Sequence, residues 1–337
     1  MRFRLLDPRE VPWQRLDAFP DRTVFQTRAW VDFLAETQRG TPVLAELRDG
    51  QVVVGFFTGL TFRRFGIKIL GSSFPGWTTP YMGFNLGPGV PRQAALQALE
   101  PFAFETLGCL HLEVCDRHCS VEDGRALGFA VEYFDTYETD LMLAEEQLRK
   151  NLHDDCRWAI RKASRSGVVI EEAHDDSFVD EYYEQLRQVF GKQKLVPTYD
   201  IGRVRALVKH LLPTGHLLLL RARSPQGDCI ATVIAAGLNR VANFWGTASF
   251  QSGQKLRPNE ALRWYAIQYW KRHNAEVLDW GGAAEGGDYK QKYAPVPVRI
   301  PRFNKSRYKL LGALRSQAGR LLHSRQRMLG GLARHAE

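Results

Sequence analysis

Apolar positions along the chain switch between a helical period and a twofold period, and they do so twice in the same order. In the first half, helical spacing covers residues 11–16 and 27–36. Strand-like runs follow at 43–48 and 51–60, then a helix at 92–107 and a strand at 109–114. In the second half, helices fit 175–190 and 201–212, strands fit 216–223, 229–238 and 241–247, a helix fits 258–273, and a strand fits 276–280. Corresponding elements are displaced by about 170 residues, as two copies of one supersecondary plan would give. A chain of 337 residues has room for two such units.

The helix at 258–273 is the best-marked element. Pro258 suits the first helical turn, Glu260 complements the positive end of the helix, and Lys271, Arg272 and His273 complement the negative end. Ala261, Leu262, Tyr265, Ala266, Tyr269 and Trp270 share one stripe and read as core. The stretch 71–89, rich in Gly, Pro and aromatic residues, reads as a long loop. It either lines a pocket with Trp77 and Tyr81 or packs on the surface.

Net charge is +9, and from residue 305 onward eight Lys and Arg face a single acidic residue, Glu337. There Leu311, Leu314, Ala318, Leu321, Leu322, Met328, Leu329 and Leu332 recur at helical spacing among the arginines. That pattern predicts a basic amphipathic tail, which either lies on an anionic membrane or packs back on the protein. No run reaches the roughly 18 apolar residues of a membrane span. The first residues lack a signal-peptide apolar core, so the expected setting is cytoplasmic, or peripheral at the inner face of the membrane. Five cysteines, an odd and sparse set, argue against a disulfide framework. Cys109, His111, Cys115, His118 and Cys119 lack the C-x-x-C spacing of a zinc site and read as a buried strand followed by a loop.

No Walker loop, dinucleotide fingerprint, nucleophile elbow or H-E-x-x-H helix is present. The informative segment is Leu278-Asp279-Trp280-Gly281-Gly282, followed by Tyr289-Lys290-Gln291-Lys292-Tyr293. Its glycines let the backbone turn and approach a ligand. A lysine over a pocket mouth can hold a phosphate or stabilise the oxyanion formed when an amine attacks an ester or thioester; an exposed, solvated lysine is the plain alternative.

This segment resembles the closing motif of the Fem-type (FemABX) transferases and their GNAT-fold relatives: a strand ending in Asp-x-Gly-Gly, a variable loop, then aromatic-Lys-x-x-aromatic. Phe25-Gln26 with Trp30, the basic stretch Arg157 to Ala163 followed by Gly167-Val168, and Phe244-Trp245-Gly246 with Ala248-Ser249 resemble further family positions. The resemblance spans residues 25 to 303. It implies an α/β (α+β) fold of two GNAT-like domains, each a mixed, mostly antiparallel sheet flanked by helices. Residues 1–135 would form the first domain, 136–304 the second, which carries the transfer site, and 305–337 the tail.

The implied activity is transfer of an acyl or aminoacyl group onto an amine, with an envelope or polysaccharide precursor as acceptor. The donor would be acyl-CoA or aminoacyl-tRNA, with no tightly bound cofactor and no metal. Lys290 and Asp279 are the catalytic candidates. Tyr289, Trp245, Gly281, Gly282 and Trp77 are candidate substrate contacts, as are Arg157, Arg161, Lys255 and Arg257 as anion or tRNA contacts.

Two departures weaken a nucleotide-linked muropeptide as acceptor: Asp32 and Val196 stand where such members carry basic residues, although Lys192 and Lys194 lie close by. The coenzyme A signature ahead of the long helix is also absent, replaced by the stretch Gln251 to Arg257. Arg157, Arg161 and Arg165 share one helical face; it either contacts tRNA phosphates or forms local ion pairs with Asp154, Asp155 and Glu145. Two rival classes stay in view: a binding protein that kept the fold and lost the chemistry, and a nucleic-acid-binding module resting on basic charge alone.

Overall fold

The computed structural model describes residues 1–64, 66–192, 194–282 and 288–308. The expected amphipathic tail lies outside them from residue 309 onward, as does the variable stretch 283–287 of the closing motif.

The first half runs β1 (Arg2–Leu5), α1 (Trp13–Asp17), α2 (Arg28–Gln38), β2 (Thr41–Asp49), β3 (Val52–Arg64), β4 (Ile67–Ser72), β5 (Gly83–Leu86), α3 (Arg92–Pro101), β6 (His111–Cys115), α4 (Val121–Arg125) and β7 (Ala130–Asp140). The second runs α5 (Glu145–Asn151), α6 (Asp154–Arg165), β8 (Val169–Glu172), α7 (Ser177–Lys192), α8 (Ile201–Leu211), β9 (Leu217–Arg223), β10 (Cys229–Leu238), β11 (Val241–Ser249), α9 (Pro258–Arg272), β12 (Val277–Asp279), α10 (Asp288–Gln291) and β13 (Val296–Ser306). Helix starts follow side-chain chemistry. The Thr27 hydroxyl accepts from the Trp30 amide at the head of α2, and the Asp200 carboxylate accepts from the Arg203 amide at the head of α8.

The thirteen strands among the described residues form one sheet in the order β1-β2-β3-β4-β6-β13-β7-β12-β11-β10-β9-β8, with β5 added on β3. Read from either end, the order follows the same plan: three antiparallel ladders, then a crossover helix (α3 or α9), then a strand parallel to the one before it. The parallel pairs are β4 with β6 and β11 with β12. The duplication expected from periodicity is therefore present in the topology. The last strand of each half is exchanged. β13 lies beside β6 of the first half, β7 lies beside β12 of the second, and the two pair antiparallel at the centre from Val296↔Glu138 to Asn304↔Ala130.

The sheet alternates its side chains between two faces. On one face, Leu44, Phe56, Leu217, Leu219, Ile234 and Ala236 pack under α2, α7 and α8 in an apolar cluster that both halves share. On the other face, Val43, Ala45, Phe57 and Leu112 pack under α3. Leu218, Leu220, Val233 and Ala235 lie with α9, α5 and α6 in the second half.

Some expectations shift. The helix expected at 92–107 leaves α-geometry after Pro101 and finishes as a π-turn over Phe102–Thr106. The stretch 71–89 contains β5 and is not all loop. In α9 the buried stripe is Leu262, Arg263, Ala266, Ile267 and Trp270, while Tyr265 and Tyr269 are half-buried at its edge. Strands β1, β4, β5, β7, β8 and β13 have no counterpart in the periodicity.

The exchange of β13 is locked by close packing. A Cβ added at Gly124 in α4 would meet the Phe303 ring of β13 at 2.2 Å. Gly124→Ala should therefore destabilise the protein by about 1–3 kcal/mol, the range for overpacked cores. Urea unfolding checks this, and an unchanged midpoint would mean that α4 and β13 are not held against each other in solution.

Candidate functional site

The site begins where β11 and β12 part. Their parallel ladder holds only Val241↔Val277, Ala242↔Leu278 and Asn243↔Asp279. β12 then stops, and β11 runs on to Ser249, still paired with β10. On its β12 side, the β11 backbone beyond Asn243 has no ladder partner among the described residues. A bulge falls in the same place. Ala235 faces Phe244 and Ile234 faces Gly246, so Trp245 is the extra residue. The Trp245 ring lies 5.1 Å from Tyr199 and 6.5 Å from Tyr182.

The equivalent place in the first half is filled. β4 ends at Ser72, its last ladder pair with β6. The following loop folds back, with the Met82 amide donating to the Cys115 carbonyl at 2.9 Å and the Gly83 amide to the Ser72 hydroxyl at 2.7 Å. The Phe74 ring lies where a Cβ on Gly71 would stand. Among the described residues, the second half is thus the one that keeps a parted pair of strands.

Asp279, the last residue of β12, is fully buried. Its carboxylate accepts from the Thr136 hydroxyl at 2.5 Å, the Gly281 amide at 2.8 Å and the Tyr81 phenol at 3.0 Å. Burial pushes its pKa up, and those donors together with the nearby Arg117 charge pull it back. Arg117 donates to Tyr81 Oη at 3.1 Å and to Glu138 at 3.0 Å. Burial raises the Glu138 carboxyl, and Arg117 opposes that rise. The network joins the loop before β5, the turn after β6, and strands β7 and β12. The residue after β6, Asp116, makes the same turn: its carboxylate accepts from the His118 amide at 2.8 Å, as that of Asp279 does from Gly281.

Gly281 sits at φ +65°, a conformation that favours glycine. It turns the chain so that the Gly281 and Gly282 carbonyls face Lys290. The Lys290 ammonium donates to both, at 2.7 Å to Gly282. Lys290 is only 6% exposed, so the solvated alternative does not hold. Burial lowers its pKa, Arg263 lowers it further, and Asp279 opposes. An ammonium carries three donors, and no described residue takes the third.

Tyr289 is partly exposed, and the Arg263 guanidinium lies 4.4 Å from its ring centre. Arg263 is buried and donates to Thr247 of β11 at 3.5 Å. Asn259, one turn earlier on α9, donates to Ser249 at 3.2 Å. The first turns of α9 therefore lie against both β11 and α10.

Structure thus brings Lys290, Asp279, Gly281, Gly282 and Tyr289 together, beside the parted strand that carries Trp245. Lys255 and Arg257 are exposed where the chain enters α9, and Arg257 lies 5.4 Å over the Trp158 ring. Arg161 is exposed on α6. The Arg157 guanidinium is committed to the Lys150 and Leu152 carbonyls and to Asp154. Trp77 packs on Phe74 and Phe62 in the first half, whereas Tyr81, four residues on, reaches Asp279. Asp32 pairs with Arg28 at 3.6 Å, and Val196 is 82% exposed.

Sequence reasoning missed Arg263, Arg117, Thr136 and Glu138. Arg263 had a signal: it is a charged residue beside the apolar stripe of a core helix. The other three show nothing locally, because their partners are remote in sequence.

Residues 150–291 match the family described as "Acetyltransferase (GNAT) domain". A search of curated proteins finds no significant sequence match. Among solved structures, the chain is similar to FemX, with a TM-score of 0.75 and 13% identity over 93% of this chain and 99% of that one. It is also similar to a tandem GNAT protein from the clavulanic acid biosynthesis pathway, with a TM-score of 0.55 and 12% identity over 90% and 98% of the two chains. A third likeness is to L-PGS from Bacillus licheniformis, with a TM-score of 0.54 and 12% identity over 87% and 95%. The chain therefore has the FemX fold, two α/β units of one plan on a continuous sheet, and it is residues 150–291, in the second unit, that match the acetyltransferase (GNAT) family.

Proposed function

We propose that this protein transfers an acyl or aminoacyl group to an amine, forming an amide in the gap between β11 and α10. One observation carries the reading. β11 leaves β12 after Asn243↔Asp279, and a buried ammonium stands beside that opening. A donor carbonyl laid along the β12 side of β11 would meet backbone groups that have no ladder partner among the described residues. The acceptor amine attacks that carbonyl carbon, and the Lys290 ammonium stabilises the oxyanion through its third N–H. Collapse of the intermediate expels a thiolate or a ribose hydroxyl, and the amine proton leaves to solvent or to the leaving group. No covalent enzyme intermediate is required.

Asp279 acts as a positioning residue: it holds the Gly281 turn whose carbonyl in turn holds Lys290. Trp245 and Tyr289 wall the gap on either side. The acceptor class is an amine on an envelope or polysaccharide precursor, and the setting is cytoplasmic. The expected division at 135/136 falls inside β7 (Ala130–Asp140) and the expected end at 304 inside β13 (Val296–Ser306), so the two functional units divide after β7 and close with β13, joined by these exchanged strands.

The donor decides the subclass. A coenzyme A donor should raise the melting temperature, by RT ln(1 + [L]/Kd) in free energy, about 2.7 kcal/mol at a hundredfold excess over Kd. Aminoacyl-tRNA predicts instead RNA binding that falls steeply as salt rises from about 50 to 200 mM. Thermal shift with coenzyme A and filter binding with aminoacyl-tRNA separate the two, and loss of both responses would end the transfer reading.

A further inference from the structure

At the opposite end of the short β11–β12 ladder from the transfer gap, three segments meet around a cavity of about 220 Å³. It is lined by Pro20, Asp21 and Arg22 ahead of α2, His118 after β6, and Arg240 and Val241 at the head of β11. The two halves are tied together here: the Asn239 side-chain amide donates to the Phe19 and Arg22 carbonyls at 3.2 and 3.1 Å. Arg22 and Val241 are buried, while Pro20, His118 and Arg240 are exposed at the mouth. Arg22 is only 1% exposed, and a guanidinium carries five N–H donors. Nη2 donates to the Gln26 carbonyl at 2.7 Å, and Nε lies 3.0 Å from Asp17. Nη1 has no acceptor among the described residues. Burial lowers the Arg22 pKa to about 10 although Asp17 and Asp21 oppose the fall, so its charge is incompletely compensated.

Two more donors stand at the mouth. Arg240 meets Glu276 through Nε at 3.4 Å, and among the described residues nothing accepts from its terminal nitrogens or from the His118 ring. The acids around the cavity are already matched: Asp17 by Arg22, Asp21 by Arg92 at 2.6 Å, and Glu276 by Arg240. Cations and acids therefore balance, which favours a ligand with one negative charge over the double charge of phosphate. Pro20 and Val241 add an apolar wall suited to a short hydrocarbon. We infer that this cavity binds a small, free organic carboxylate, with its oxygens on Arg22 Nη1, Arg240 and His118 and its hydrocarbon body against Pro20 and Val241. The inference does not depend on the transfer reading. A ligand held by residues of both halves should stabilise the fold, because it binds the folded chain and not the unfolded one.

The test is the melting temperature of the full chain, titrated with sodium acetate, sodium butyrate and sodium phosphate while sodium chloride holds the ionic strength constant. Both carboxylates should raise it saturably. Butyrate should reach half-saturation at about fivefold lower concentration than acetate, because two further methylenes leave water. Arg22→Gln should weaken both carboxylates about tenfold, the cost of a lost charge-assisted hydrogen bond. Arg240→Gln, at the exposed mouth, should weaken them about threefold. Should Arg22→Gln melt too low for comparison, Arg240→Gln and His118→Gln decide the matter, since both positions are exposed. The absence of a saturable shift with either carboxylate overturns the inference, and so do equal half-saturation points in the wild type and the mouth variants. A saturable phosphate shift larger than that of butyrate, and weakened in Arg240→Gln, overturns the carboxylate class and makes the cavity a phosphate site. Every one of these outcomes leaves the transfer reading where it stood.

Discussion

Lys290→Met lowers kcat/KM for transfer by about 10²–10³, the cost of removing one oxyanion donor from a preorganised site. Methionine suits the position, because it is nearly buried and an unbranched apolar side chain fills much the same volume. The substitution removes the positive charge and leaves the Gly281 and Gly282 carbonyls without their donor. Lost hydrogen bonding accounts for only about 1–2 kcal/mol of stability, so the variant stays folded at working temperature. The loss should fall mainly on kcat, since the third N–H meets charge that develops only in the transition state. A loss of less than about fivefold would reduce Lys290 to a strut for the glycine turn, because each tenfold of rate is only about 1.4 kcal/mol.

The pH profile separates the two roles. The pKa of Lys290 is lowered from 10.5, first by burial and then by Arg263. The ammonium is the active form, so transfer falls as pH rises through that lowered value. Stability moves the other way. Between the folded pKa and 10.5, the unfolded chain binds more protons at this residue than the folded one does. The contribution of Lys290 to stability therefore rises with pH in that window. A falling rate alongside this rise cannot come from unfolding at Lys290. In Lys290→Met, the descending limb assigned to this group is absent.

How much of this was legible in the sequence follows from the range of the interactions involved. Helices α2, α7, α8 and α9 and strands β2, β3, β9, β10 and β11 have local apolar periods, and the reading finds them. The central strands did not show. β7 exposes or half-exposes most of its residues and is rich in Glu, Asp and Thr, so it lacks a clean apolar face. β13 contains Pro297 and Pro301, which argue against a central strand. Both fall in the stretch 296–301 that pairs with β7 alone; the ladder to β6 begins only at Arg302. That stretch is edge-like within a central strand, and proline fits there. The site divides in the same way. Asp279, the glycines and Lys290 lie within one short segment, and their spacing was readable. Tyr81 meets Asp279 across 198 positions of sequence, and Arg117 and Glu138 join through the strand exchange. No local pattern carries such contacts.

Asp279→Ala should cost about 3–5 kcal/mol of stability, the range for removing one member of a buried, hydrogen-bonded charge cluster. Three buried donors lose their acceptor at once: the Tyr81 and Thr136 hydroxyls and the Gly281 amide. Arg117 loses the nearby carboxylate charge and keeps Glu138. Asp279→Asn is the sharper probe. Its remaining oxygen can still accept from Gly281, but its amide group turns a donor toward a phenol that already accepts from Arg117. About 1–3 kcal/mol should be lost, less than with alanine. Tyr81→Phe removes a single hydrogen bond and should cost about 1 kcal/mol. Urea unfolding of the three variants tests this order. A carboxylate already bound by three donors inside the sheet is poorly placed to shuttle protons. If the wild-type rate falls toward low pH, that acid limb should therefore persist in Asp279→Asn, with a reduced amplitude as the Gly281 turn loosens. An Asp279→Asn enzyme that unfolds at the wild-type urea midpoint and has lost its acid limb would reverse that assignment and make Asp279 the base that takes the amine's proton.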